Sequence, residues 1–143
     1  MSKDLVLRKS ITIDTTAQKV WNALTDPDMI KQYLFGTSAV SDWQVGSPIL
    51  FKGVWKGSEY TDKGIILKYD VAKTFEYSYY SSFSGLPDEP GNYSIISFQL
   101  SPEGKGSTLL SLTQRNFSSD KMYEDCDKNW AVVLKKMKGL LET

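Results

Sequence analysis

Apolar and polar residues alternate through most of this chain, and three stretches change to a helical period. Leu5, Leu7, Ile11 and Ile13 share one face by two-residue alternation, which predicts a first strand. Thr15 and Gln18 have capping-box spacing, and Ala17, Val20, Trp21 and Leu24 follow as the apolar face of a short helix. Asp26 precedes Pro27, whose missing N–H costs nothing at the first helical position, so a second short helix is predicted to about Leu34. The texture then becomes that of strands. Ser38 to Asp42 predicts a short edge strand, and the turn Gly46-Ser47-Pro48 leads into a strand with Ile49 and Phe51 on one face. Glu59 to Tyr69 predicts a longer strand in which Gly64 marks a bulge or bend. Its apolar pattern does not fix which of Ile65, Ile66 and Leu67 points inward.

Asp70 to Lys73 reads as a turn. Thr74 to Tyr80 sets Phe75, Tyr77 and Tyr79 against Glu76, Ser78 and Tyr80. Ser81 to Gly91, with Phe83 and Leu86 embedded among prolines and glycines, reads as a mobile surface loop. Asn92 to Leu100 aligns Ile96, Phe98 and Leu100. After the turn PEGKG, Ser107 to Arg115 aligns Leu110, Leu112 and Gln114. Sequential strands with short turns predict an antiparallel meander. The last element is a long helix, Met122 to Glu142, with Met122, Cys126, Trp130, Val133, Met137, Leu140 and Leu141 at three- and four-residue steps. Ser119 or Asp120 would cap it. Acidic residues crowd its first turns and lysines its last, matching the helix dipole. The order suggests an α+β fold in which a curved antiparallel sheet grips the long C-terminal helix, with two short helices after the first strand.

Composition removes several classes of function. The 143 residues suit one domain, 1–143, large enough to bury about 68–70% of the unfolded surface. Lysine plus arginine equal aspartate plus glutamate at 17 each, so no single-sign field points to nucleic acid or to an anionic membrane. The longest apolar run, Trp130 to Leu134, is far too short to span a bilayer, and the start MSKDLVL has no signal-peptide pattern. A lone cysteine forms no internal disulfide, and a cytoplasmic location is expected. The absence of histidine is the sharpest exclusion. It rules out Ser-His-Asp and Cys-His arrangements within this chain and removes the usual zinc ligand. No catalytic residue, metal site or cofactor is therefore nominated.

The strand followed by VWNALTDPDMIKQYL, then WQVGSPILF, GIILKYDVAKTFEYSY, STLLSLTQRNF and NWAVVLKKMKGLLE, in this order, resembles the START-like, SRPBCC superfamily. Within it the chain is most similar to the family of homologues of the activator of heat-shock-protein-90 ATPase. The resemblance implies the helix-grip fold and a space between helix and sheet in which members commonly bind apolar or aromatic molecules. Some members are enzymes such as aromatase/cyclases, and one branch stimulates a chaperone ATPase. This chain departs from the common pattern at Gln114, where many relatives carry histidine, at Asn129, where many carry glycine, and at Lys68, where glutamate is frequent.

The expected function is binding of a small apolar or aromatic ligand, without a cofactor, in a cavity between sheet and long helix. Phe51, Tyr77, Tyr79, Phe98, Leu112, Gln114 and Trp130 are its candidate lining. The same residues would equally serve as plain core, since interiors pack densely. Gln114 would either orient a ligand or make a structural hydrogen bond. Cys126 lies on the apolar stripe with nothing to activate it, so it reads as core rather than as a nucleophile. Asp26 and Asp28 read as a cap and a dipole partner rather than an acid–base pair. Two alternatives stay open: a chaperone-stimulating or other protein-interaction module, and a cofactor-free cyclase or lyase.

Overall fold

Seven stretches of alternation form seven strands, and their pairing fixes where the helices lie. The computed structural model describes residues 5–81 and 85–142. In chain order the elements are β1 (Val6–Ile13), α1 (Ala17–Thr25), α2 (Pro27–Tyr33), β2 (Ser38–Ser41), β3 (Pro48–Trp55), β4 (Ser58–Asp70), β5 (Thr74–Tyr79), β6 (Ser94–Pro102), β7 (Thr108–Arg115) and α3 (Asp120–Leu141). All the pairings are antiparallel, in the order β1-β7-β6-β5-β4-β3-β2. Strands β2 to β7 form the predicted meander. The first strand closes onto the last, Val6 opposite Arg115 and Ile13 opposite Thr108. The helix α3 buries Val133, Leu134 and Met137 against the inner face of the sheet, in one core cluster with Leu7, Ile13, Leu110 and Leu112. This is the helix-grip arrangement that the pattern predicts. Among the described residues no helix is long and apolar enough to cross a membrane.

The predicted caps hold with one correction. Asp26 accepts from the Asp28 amide at 3.0 Å, and Ser119 accepts from the Met122 amide at 3.1 Å. The cap of α1 is Thr16 rather than Thr15: its hydroxyl accepts from the Lys19 amide at 3.3 Å, and Gln18 reaches Asn22 instead of the cap. Thr15 is taken up elsewhere. Its amide closes a tight turn onto the Ile13 carbonyl, and its own carbonyl receives the buried Thr108 hydroxyl at 2.8 Å. The helix therefore starts one residue later.

The open phase of β4 is settled by burial. Ile66 is fully buried, whereas Ile65 and Leu67 are exposed. Asp62, Gly64 and Ile66 face inward, and the register shifts between Ile66 and Lys68. Beyond that bulge the phase reverses, so that Tyr69 meets Trp21 edge-on at 5.1 Å. Gly64 sits where the bent strand presses on β5, and a Cβ there would lie 1.6 Å from the Ser78 carbonyl oxygen. Only glycine fits that approach.

The segment read as a mobile loop is tied down over its described part. The Tyr80 hydroxyl donates to the Leu86 carbonyl at 2.5 Å, Tyr93 donates to Asp88 at 2.5 Å, and Lys63 pairs with Asp88. Asn116 donates to the Gly91 carbonyl at 2.9 Å. Phe83, embedded in this segment, lies outside the described residues.

Two glycines should respond in opposite ways. Gly64→Ala is expected to destabilise the protein by at least about 1–3 kcal/mol, because backbone rather than a flexible side chain occupies the space. Gly139→Ala, on the exposed face of α3 with nothing within 4 Å, is expected to stabilise by about 0.5–1 kcal/mol. Urea unfolding of both variants checks the pair, and a neutral Gly64→Ala would show that β4 does not need the close approach.

Candidate functional site

Alternation along β3, β5 and β6 places aromatic side chains on the inner face, and the register brings them into contact. Phe75 and Tyr77 lie 5.3 Å apart between ring centroids, Phe51 and Tyr77 5.5 Å, and Phe98 and Trp130 5.7 Å. Phe98 and Phe75 stack across the β5–β6 pair at 6.4 Å. These rings fill most of the space between sheet and α3.

What remains is a cleft under α2. Its floor is Ile49, Phe51, Phe75, Tyr77 and Phe98. Leu24 of α1 forms one side, Ile30, Tyr33 and Leu34 another, and Trp130 of α3 the last. Its volume is about 20 Å³, room for about one water molecule. No charged side chain lines it. Of the residues nominated from sequence, Phe51, Tyr77, Phe98 and Trp130 border this cleft. Tyr79 borders a second small space beside Leu86, Asn116 and Met122. Leu112 is fully buried in the core, and Gln114, 1% exposed, lies behind Trp130. The α2 wall was missed by sequence reasoning, because a seven-residue helix is too short for its period to declare an inward face. Asp26-Pro27 located that helix without orienting it.

The polar groups around the cleft are mostly engaged. The Trp130 indole N–H donates to Gln114 Oε1 at 2.8 Å, a bond from α3 to β7. Tyr33 donates to the Ala23 carbonyl at 2.8 Å, pinning α2 to α1. Burial, with the nearby Tyr77 as a lesser contributor, holds the Tyr33 phenol well above the usual tyrosine range. Tyr79 donates to Asp62 at 2.6 Å. Its phenol is raised by burial first and by that carboxylate second. Asp62, 6% exposed, was not singled out in the sequence. Its inward phase, shared with Gly64 and Ile66, was the available signal. The Tyr77 hydroxyl has no hydrogen-bond partner among the described residues, and burial raises its phenol too.

Cys126 is half-buried on α3. Burial pushes its thiol up to about 11, against a smaller opposing pull from the Gln114 hydrogen bond. Among the described residues no group of three or more acidic or cysteine side chains gathers to hold a metal.

Two measurements follow from this geometry. Trp130→Phe strips the buried Gln114 oxygen of its donor and is expected to cost about 1–3 kcal/mol in denaturant unfolding. A loss near zero would mean that the bond contributes nothing net. Cys126 should carry on the order of a hundred-fold less thiolate at pH 7 than an ordinary cysteine. Its labelling rate should keep climbing about tenfold per pH unit past pH 9, where a free thiol levels off. A plateau just above pH 9 would show an exposed, unshifted thiol.

The family model described as Activator of Hsp90 ATPase homolog 1-like protein matches residues 14–142. No curated protein gives a match. Among solved structures the chain is similar to ChR145 from Cytophaga hutchinsonii, at 39% identity over 99% of this chain and 97% of that one, with a TM-score of 0.84. It is similar to the Aha1 dimer from Colwellia psychrerythraea at 25% identity, 96% of each chain and a TM-score of 0.75. MLL2253 from Mesorhizobium loti shares the fold at 23% identity, 96% of each chain and a TM-score of 0.80. With a family match over nearly the whole chain, this protein belongs to the Activator of Hsp90 ATPase homolog 1-like family.

Proposed function

We propose that this protein binds a small, flat, mainly apolar molecule in the cleft under α2, without a cofactor. The observation that carries this reading is the wall itself: ten residues of six different strands and helices converge, all of them aromatic or aliphatic and none of them charged. At rest the cleft is nearly closed, so an occupant larger than water requires α2 to move from α3. The contact that such a movement would break is visible at the end of α2. Phe35 adopts a left-handed backbone with φ of 53°, and its exposed ring lies 5.4 Å from Lys136 Nζ on α3. An exposed cation–π contact of this kind is worth about 0.5–1 kcal/mol, little enough to open on demand.

A second reading, a chaperone partner, has its own support in the outer face of the sheet. Val40, Pro48 and Ile65 are exposed there, and Leu50 lies between Val40 and Lys63 in the register. The family's description, activation of Hsp90 ATPase, gives this strip a kind of partner.

One experiment separates the two. A thermal-shift screen of planar aromatic and lipid-like compounds should find a stabiliser, by about 2.7 kcal/mol at a hundred times its dissociation constant. Leu34→Trp, which fills the cleft mouth, should abolish the effect. The cleft reading fails if no compound shifts the wild-type protein while the protein stimulates a purified Hsp90 ATPase and Ile65→Glu removes that stimulation.

A further inference from the structure

Within the cleft, one polar atom is unaccounted for. The Tyr33 hydroxyl and the Trp130 indole are both committed to protein acceptors at 2.8 Å. Tyr77 is 5% exposed, and among the described residues its hydroxyl meets no donor or acceptor. No fully enclosed side-chain nitrogen or oxygen lacks a partner in the described structure, so this hydroxyl is not sealed in protein and borders the cleft. The rings beside it, Phe51, Phe75 and Phe98, offer nothing it can bond. The cleft has room for about one water beside this hydroxyl, and a ligand that displaces such a water without replacing its hydrogen bond loses affinity.

We infer that Tyr77 is the residue that sets ligand specificity, its hydroxyl donating to the carbonyl oxygen of a flat, uncharged aromatic ketone. The inference rests on the cleft reading above and narrows it to a chemical class. A phenol O–H donates to a carbonyl oxygen, whereas an aliphatic amine is protonated near neutral pH and has no lone pair left to accept. The absence of charged residues in the cleft wall disfavours a carboxylate or an ammonium, because neither would find a counter-charge on entering. The edges and faces of the surrounding aromatic rings suit a flat ring system in offset or edge-on contact.

The test uses a matched pair, 1-indanone and indane, which share a skeleton and differ by the carbonyl. Their affinities are measured by nuclear magnetic resonance titration of the wild-type protein and of Tyr77→Phe, following the Trp130 indole and the α2 amides. Tyr77→Phe should weaken indanone by about two- to twelve-fold, the range of one net hydrogen bond, and leave indane unchanged or slightly tighter. The unliganded variant should melt at or above the wild-type temperature, because the hydroxyl it loses has no protein partner among the described residues. Equal effects on both compounds would overturn the inference while leaving the cleft reading intact. A lower melting temperature for unliganded Tyr77→Phe would also overturn it, by showing that the hydroxyl holds the fold. If neither compound moves the Trp130 or α2 signals of the wild-type protein, the cleft reading falls and the Tyr77 inference falls with it.

Discussion

The curvature of one strand is the constraint on which the rest depends. The 13 residues of β4 serve two neighbours in turn: the first part pairs β3 from Ser58 to Ile65, and the last part pairs β5 from Ile66 to Asp70. A flat strand could not do this and also close around a helix. The bulge at Leu67 and the contact of Gly64 with the Ser78 carbonyl supply the bend. Its consequences run inward. Phe51 on β3 comes to face Tyr77 and Tyr79 on β5, and Ile49 joins Phe75 in the cleft floor. The site is thus a product of backbone geometry before it is a product of any side chain.

Much of that geometry was legible in the sequence, for a physical reason. Strand alternation and helical period both report which side of an element is buried, and β1, β3, β5, β6, β7 and α3 each have one apolar side. Gly64 stood out because a glycine inside a strand weakens it unless something comes close. What stayed illegible was set by tertiary contact. Leu134 is buried between positions of the α3 stripe that were recognised, because the curved sheet embraces a wider arc of the helix than the stripe suggested. Thr15 and Thr16 are equally good caps by composition, and a hydrogen bond from Thr108, 93 residues away, distinguishes them. Ile30, Tyr33 and Leu34 form a cleft wall only because Tyr33 is tied to Ala23.

In the proposed reading the aromatic set combines a packing role with a binding role in the same residues. Phe75, Tyr77, Phe98 and Trp130 make a continuous chain of ring contacts, which stabilises the fold whether or not anything binds. The cleft is the place where that chain is incomplete. Its three sheet strands are rigid and held by ladders on both sides, whereas α2 is short and touches α3 lightly through its C-terminal end. In the proposed reading the more lightly held element lies on the side from which an occupant would enter.

The roof of the cleft adds a further consequence. Trp130 is held to β7 by Gln114, at the position where many relatives of this resemblance carry histidine. A histidine there would titrate near neutral pH and would change between donor and acceptor as it did so. The glutamine amide does not titrate. It keeps an acceptor on the indole at every pH at which the protein is folded. The indole is thereby held as a fixed wall, and in the proposed reading the freedom to admit a ligand is left to α2. In this chain the sheet and α3 set the shape of the cleft, α2 sets access to it, and neither requires a charge inside.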